Sequence, residues 1–338
     1  MKIPRNYRFT KEISGFLAKI EANKEVINNL LVPTDIEENI RRQSILGSAL
    51  FSARIEGNRL TRIEIDGFSS LPAQDKSKLE VANIHRAINL VLENFSDKKE
   101  ITEKDILKLH EETMRHILAP EFSGKFRQGH EGVFDAYGNL YYHSPPPGEV
   151  NSLTDQLVKF INSEREKFIP IRAILAHLAL EDIHPFIDGS GRVGRLLQLA
   201  VLVRGGYGMK GLVGVEELID KNRQSYYRTI EMSRGSNDAT EFVSLILEFL
   251  SDSSTKAREL LSQKQRSFSP LDLLPPRRRE LVEIIREHRM VSLDFLHRRF
   301  LRVSPRLLSY DLKKLTDKGI VVKIGNTRGA LYGLREPV

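Results

Sequence analysis

The side chains capable of chemistry crowd into one stretch, His184-Pro-Phe-Ile-Asp-Gly-Ser-Gly-Arg-Val-Gly-Arg195. An imidazole titrates near neutrality and can take a proton from a hydroxyl group. Asp188 offers one hard oxygen of the kind that shares Mg²⁺ with a nucleotide's phosphates. Gly189, Ser190 and Gly191 form a flexible turn whose amides can converge on an anion, and a helix opening behind the turn points its positive end the same way. Arg192 and Arg195 stand three apart, so on the first turns of that helix both guanidiniums can lean toward one phosphate. A base, a metal carboxylate, an anion cradle and two arginines make up a nearly complete site for phosphoryl or nucleotidyl transfer. A rival arrangement uses His177, Glu181 and His184, at i, i+4 and i+7, as a metal site. It leaves the glycine turn and the arginine pair unexplained, so His177 is read as a packing or supporting residue.

These groups need elements to position them. Pro185 biases His184 away from helical geometry, so a helix from about 170 should end there and present the imidazole in a loop. Ile13, Phe16, Leu17 and Ile20 form an apolar stripe on a first helix. Thr34 with Glu37 has the form of a capping box opening a second helix that runs toward Ser52. Further helices are expected at about 76 to 95, 103 to 117, 150 to 166, 170 to 183, 191 to 204, 221 to 233 and 239 to 264. Between Gly129 and His143 the pattern changes to that of a short β-hairpin. Ser267-Phe-Ser-Pro270 and Pro275-Pro276 read as a linker. Helices near Arg277 to His288, Ser292 to Arg299 and from Ser304-Pro305 follow, then strand-like runs at Ile320 to Ile324 and Ala330 to Leu334, an order similar to that of a winged helix-turn-helix. The expectation is a mainly α protein: an N-terminal helical region over 1–95, a catalytic core over 96–266 with its hairpin, a linker over 267–276 and a small winged helix domain over 277–338.

The chain of 338 residues, 40% hydrophobic and 29% charged, has enough apolar material for about two domains. No apolar run approaches the ~18 residues of a membrane span, and the start at Met1-Lys2-Ile3-Pro4-Arg5 is too polar for a signal peptide. A cytoplasmic location is expected. With no cysteine, disulfides, thiol nucleophiles, zinc ribbons and iron–sulfur ligation are excluded, and oxygen or imidazole must hold any metal. The net charge of +7 is localised: from Leu271 to Val338 fifteen basic residues face eight acidic ones, and the rest of the chain balances. A neutral body with a basic appendage fits a protein in which one module meets nucleic acid.

The stretch from His184 to Arg195 resembles the signature of the Fic (filamentation induced by cAMP) family, HPFx[DE]GNGRxxR, matching it at His184, Pro185, Phe186, Asp188, Gly189, Gly191, Arg192 and Arg195. The resemblance implies transfer of AMP from ATP to a hydroxyl side chain of a protein, with release of pyrophosphate. His184 would deprotonate the hydroxyl, Asp188 would hold Mg²⁺, and Arg192 and Arg195 would bind the phosphates, Arg195 near the terminal one. Ser190 stands where the family has asparagine; it is shorter but keeps a donor and an acceptor.

Outside the signature, Ser52-Ala-Arg-Ile-Glu-Gly57 is similar to the family's inhibitory motif [ST]xxxE[GN]. Ser52 and Glu56 lie one helical turn apart, and the resemblance implies an N-terminal inhibitory helix whose Glu56 pairs with Arg195 and denies it to the γ-phosphate. The hairpin corresponds to the family's flap, which lines up target backbone by strand addition. Tyr226 and Tyr227 resemble its segment near the adenine, though either could equally be a helix core residue. The implied partners are a protein bearing a Ser, Thr or Tyr hydroxyl, a second copy of the chain as target or as homodimer partner, and DNA. For DNA, Arg306, Lys313 and Lys314 on a recognition helix and Arg328 in the wing are the candidates. The alternative is a DNA-binding transcriptional regulator whose Fic-like domain binds nucleotide without turnover.

Overall fold

A helix that must bury its whole circumference needs apolar residues on every side, and two segments near the middle of the chain meet that condition. In the computed structural model they are α7 (Ile169–Ile183) and α8 (Ser190–Arg204), packed against each other at the centre of the larger of two units, Met1–Ser262. Gly194 permits their close approach, because a β-carbon there would stand 2.8 Å from the His177 ring. The structure is described over residues 2–65, 75–130, 132–134, 140–266, 274–300, 303–325 and 329–335.

Around this pair lie α1 (Lys11–Asn29), α2 (Thr34–Ile55), the short α3 (Arg62–Ile65), α4 (Lys76–Asn94), α5 (Glu103–Met114), α6 (Val150–Asn162), α9 (Glu216–Lys221), α10 (Arg223–Ser236) and α11 (Thr240–Arg266). One continuous apolar core unites them, from Ile13 and Ile20 on α1 through Leu50 and Ile84 to Leu178, Leu197 and Phe242. Helix α2 packs on α4 and α9, and α4 packs on α5 and α8. Strands β1 (Gly132–Phe134) and β2 (Leu140–His143) form the expected antiparallel hairpin; residues 135–139 lie outside the described residues.

Two local expectations change. Thr34 is the first residue of α2, Pro33 occupies the cap position without a side-chain cap bond, and Glu37 pairs with Lys210, so the capping box does not form. Proline at that position already fixes the entry angle of the chain. The six-residue α9 is too short to show a period and was not expected.

The second unit, Gln263–Val338, includes α12 (Pro276–His288), α13 (Leu293–Arg299) and α14 (Pro305–Asp317) around Leu281, Ile285, Leu296, Leu308 and Leu312. Ser304 caps α14 by accepting from the Leu307 amide, with Pro305 at the first position. Strands β4 (Val321–Ile324) and β5 (Leu331–Leu334) pair as expected, and a third, β3 (Met290–Ser292), joins the far edge of β5 to give the order β3-β5-β4. Three residues give too little alternation to announce a strand. Among the described residues no helix is long and apolar enough to cross a membrane.

Candidate active site

The loop joining α7 to α8 carries His184, and three separate devices fix its shape. His184 caps α7 in the left-handed region at φ 46°, its amide still donating to Leu180 O. The helix therefore stops where Pro185 requires, but with a left-handed residue rather than an extended one. Such a backbone in a non-glycine residue is held only by its surroundings. Arg127 provides them: its Nε donates to His184 O at 2.8 Å, Nη1 to Gly129 O at 2.8 Å and Nη2 to Pro145 O at 2.6 Å. One guanidinium thus ties the loop to both ends of the hairpin.

The other two devices lie nearer Asp188. His110, buried on α5, accepts the Gly124 amide at Nδ1, which fixes its tautomer so that Nε2 donates to Asp188 O at 3.0 Å. Its ring stacks on Phe186 with 3.8 Å between centroids, and burial pushes its pKa down to about 4. Ser190 is buried and its hydroxyl accepts from the Phe186 amide at 3.3 Å, so the side chain closes the loop from within. Gly189 takes φ 86° to start α8.

His184 Nδ1 is buried without a hydrogen-bond partner among the described residues. Burial lowers its pKa below the ordinary 6.5, against the opposing pull of Glu181 and Glu56, so the imidazole is neutral near pH 7 and can accept a proton. Burial alone would raise the Glu181 carboxyl; its interaction with the His177 ring and the nearby Arg195 charge reverse this and hold it at about 2. His177 is occupied by Gln198 Oε1 at 2.8 Å and the Tyr226 hydroxyl at 3.1 Å. That supporting role accounts for the i, i+4 pairing, and His184 sits beyond the helix that would have completed a metal face.

The two arginines do not lean toward one point. Arg192 pairs with Glu80 on α4 and with Asp188, whose side chain stays 51% exposed. Arg195, almost wholly buried, donates from Nε to Ser52 Oγ at 3.0 Å and from Nη2 to Ser52 O at 3.1 Å and Glu56 Oε1 at 2.8 Å. Buried guanidiniums require partners, and the partners lie in different directions. Glu56 caps α2, with Gly57 beyond it at φ 99°. The same Glu56 oxygen lies 2.5 Å from where a β-carbon on Gly191 would stand, so the carboxylate rests on the opening turn of α8.

Tyr226 is fully buried and points its hydroxyl at His177 and Glu181, while Tyr227 is 41% exposed and donates to Ile55 O. Of the basic candidates in the second unit, Arg306, Lys313 and Lys314 are exposed on α14, and Arg328 lies outside the described residues. Sequence reasoning missed Glu80, His110 and Arg127. They come from 57 to 112 residues away in the chain, and no local spacing announces them.

Residues 100–202 match the family model described as Fic/DOC. Proteins named protein adenylyltransferase Fic from Drosophila willistoni and Drosophila erecta are each 29% identical over 258 residues, covering 72% of this chain and 47% of the relative. The chain therefore spans about half the length of the curated relatives it matches. Among solved structures, a Fic family protein from Desulfovibrio desulfuricans G20 is 25% identical with a TM-score of 0.65, covering 100% of this chain and 99% of that one. Fic-1 from C. elegans, at 20% identity and a TM-score of 0.59, shares the fold over 76% of this chain and 74% of its own.

Proposed function

We propose that this chain is a protein adenylyltransferase, moving AMP from ATP to a hydroxyl side chain of a protein, and that Glu56 holds it in an inhibited arrangement. The observation that carries the reading is Arg195, bound at once by Ser52 and Glu56, beside a loop that presents a neutral, buried His184. The names of the similar proteins support the same chemistry.

In this reading His184 takes the proton of the target hydroxyl as its oxygen attacks the α-phosphorus, and pyrophosphate leaves. Arg127 keeps the imidazole and the two ends of the hairpin in one frame. The amides opening α8 and the guanidiniums of Arg192 and Arg195 receive the phosphate oxygens. Asp188, a half-exposed carboxylate beside them, fits a Mg²⁺ ion held mainly by phosphate and water, which would offset phosphate charge when bound.

A second reading, a regulator that binds nucleotide without turning it over, is favoured by one observation: the Ser190 hydroxyl is already engaged by the Phe186 amide. Exposed Arg306, Lys313 and Lys314, on the face of α14 opposite buried Leu308, Leu312 and Leu315, would then meet DNA. ATP labelled on its α-phosphate separates the two. Label bound covalently to protein supports transfer, and tightly held, unconverted ATP with no covalent label supports the regulator.

A further inference from the structure

Behind the face that Glu56 covers, the Arg195 guanidinium has another side. Its Nη1 is buried with no hydrogen-bond partner among the described residues. A cavity of about 30 Å³ lies between α2, α4, α8, α11 and the segment leading into α9; its wall is mostly apolar, and its polar lining is Ser48, Arg195, Gln198 and Glu216. Glu216 Oε2 is likewise buried and without a partner. Burial raises the Glu216 carboxyl above its ordinary range, and Ser48, on the same helix as Ser52, and the Arg195 charge pull against that shift. Gly214 lets the backbone close over this group, since a β-carbon there would meet Ser48 Oγ at 2.1 Å and Glu216 Oε2 at 2.6 Å. A cavity of this size holds one water molecule, and Ser48, Arg195, Gln198 and Glu216 are the hydrogen-bonding partners within its mostly apolar wall.

We propose that Glu216 is a positioning residue for Arg195, holding Nη1 through one water in this cavity so that Nη2 stays aimed at the anion cradle when Glu56 withdraws. The inference rests on the adenylyl-transfer reading, in which Arg195 binds a nucleotide phosphate. A buried guanidinium stripped of its carboxylates is strongly destabilised. With Glu56 gone, Glu181 and Glu216 remain, and Glu181 is already engaged with His177 and Tyr226. Glu216 is the carboxylate left to fix the orientation. Ser48 lines the same cavity, so α2, Arg195 and this acidic group meet around it.

The test is calorimetric titration of ATP into the full chain carrying Glu56→Gly, with thermal unfolding of each variant measured alongside. Glu216→Gln should weaken ATP binding roughly tenfold, the loss of one charge-assisted contact, while Glu216→Asp, which keeps the charge, recovers part of it. In an Arg195→Met background Glu216→Gln should cause no further loss, a dependence that general damage to the fold would not show. Unchanged ATP affinity in Glu216→Gln overturns the proposal, as does an equal loss with and without Arg195. Should Glu216→Gln not fold, Glu216→Asp is compared across the same two backgrounds with the same criteria. If Arg195→Met itself leaves ATP affinity unchanged, the transfer reading falls and the proposal with it, a result distinct from failure at Glu216 alone.

Discussion

Glu56 Oε1 accepts a 2.8 Å hydrogen bond from Arg195 Nη2 while resting on the first turn of α8 over Gly191. The same oxygen therefore holds the arginine and stands in the concavity where an anion would be received. In the proposed function both effects oppose a correctly placed triphosphate, and both disappear with one side chain.

Removing the base should separate chemistry from binding. His184→Ala is expected to lower transfer by about 10²- to 10⁴-fold and to leave ATP affinity within roughly threefold, because in the proposed function the phosphate contacts come from Arg192, Arg195 and the loop amides. Transfer rate and ATP titration on the same preparation check this. Transfer near the parent rate would exclude His184 as the base.

The pH profile follows from the burial of His184. A base works when deprotonated, and burial lowers the pKa, so kcat/KM should fall on the acid side with a midpoint below 6.5. In Glu56→Gly the midpoint should move lower still, because Glu56 is one of the charges that raise it. An acid limb centred above 6.5 would contradict the assignment.

His110 makes a prediction about stability. Its pKa is about 4 folded and 6.5 in the ordinary case, so the unfolded chain binds the extra proton between those values. Stability is present above 6.5 and is lost as pH falls toward 4, by up to about 3 kcal/mol for this one group. His110→Phe can keep the stack on Phe186 but does not titrate, so denaturant unfolding measured across this window should show a shallower loss. An unchanged slope would mean that His110 does not stay neutral.

Arg127→Met should lower transfer by roughly ten- to a hundredfold, since three carbonyls that frame His184 and the hairpin lose one common donor. ATP affinity should change little. Arg127→Lys should not restore activity, because one ammonium group cannot reproduce the planar fork. Recovery by lysine would show that charge, rather than the hydrogen-bond frame, is what matters there.

The candidate groups are readable in the sequence because the loop and the helix that follows it are contiguous: His184, Asp188, the Gly-Ser-Gly turn and the arginines all fall within twelve residues. The partner of Arg195 could also be proposed, since Ser52 and Glu56 are one turn apart and both meet the guanidinium. The divergence of Arg192 from Arg195 was not legible. It depends on Glu80, brought in by the packing of α4 on α8. His110 and Arg127 were hidden for the same reason: each acts on backbone carbonyls, which carry no residue identity. Thr34 with Glu37 shows the converse, a local pattern overridden by Pro33 and by an ion pair to Lys210.

The most direct test is the rate of transfer of label from ATP to protein in Glu56→Gly, in Arg195→Ala and in the double variant. Loss of a charge-assisted pair worth ~1.5 to 3 kcal/mol predicts a gain of roughly ten- to a hundredfold in Glu56→Gly over the parent chain. The gain should vanish in the double variant, since in the proposed function the freed arginine receives the phosphate. A Glu56→Gly rate equal to or below that of the parent would contradict inhibition by this pair.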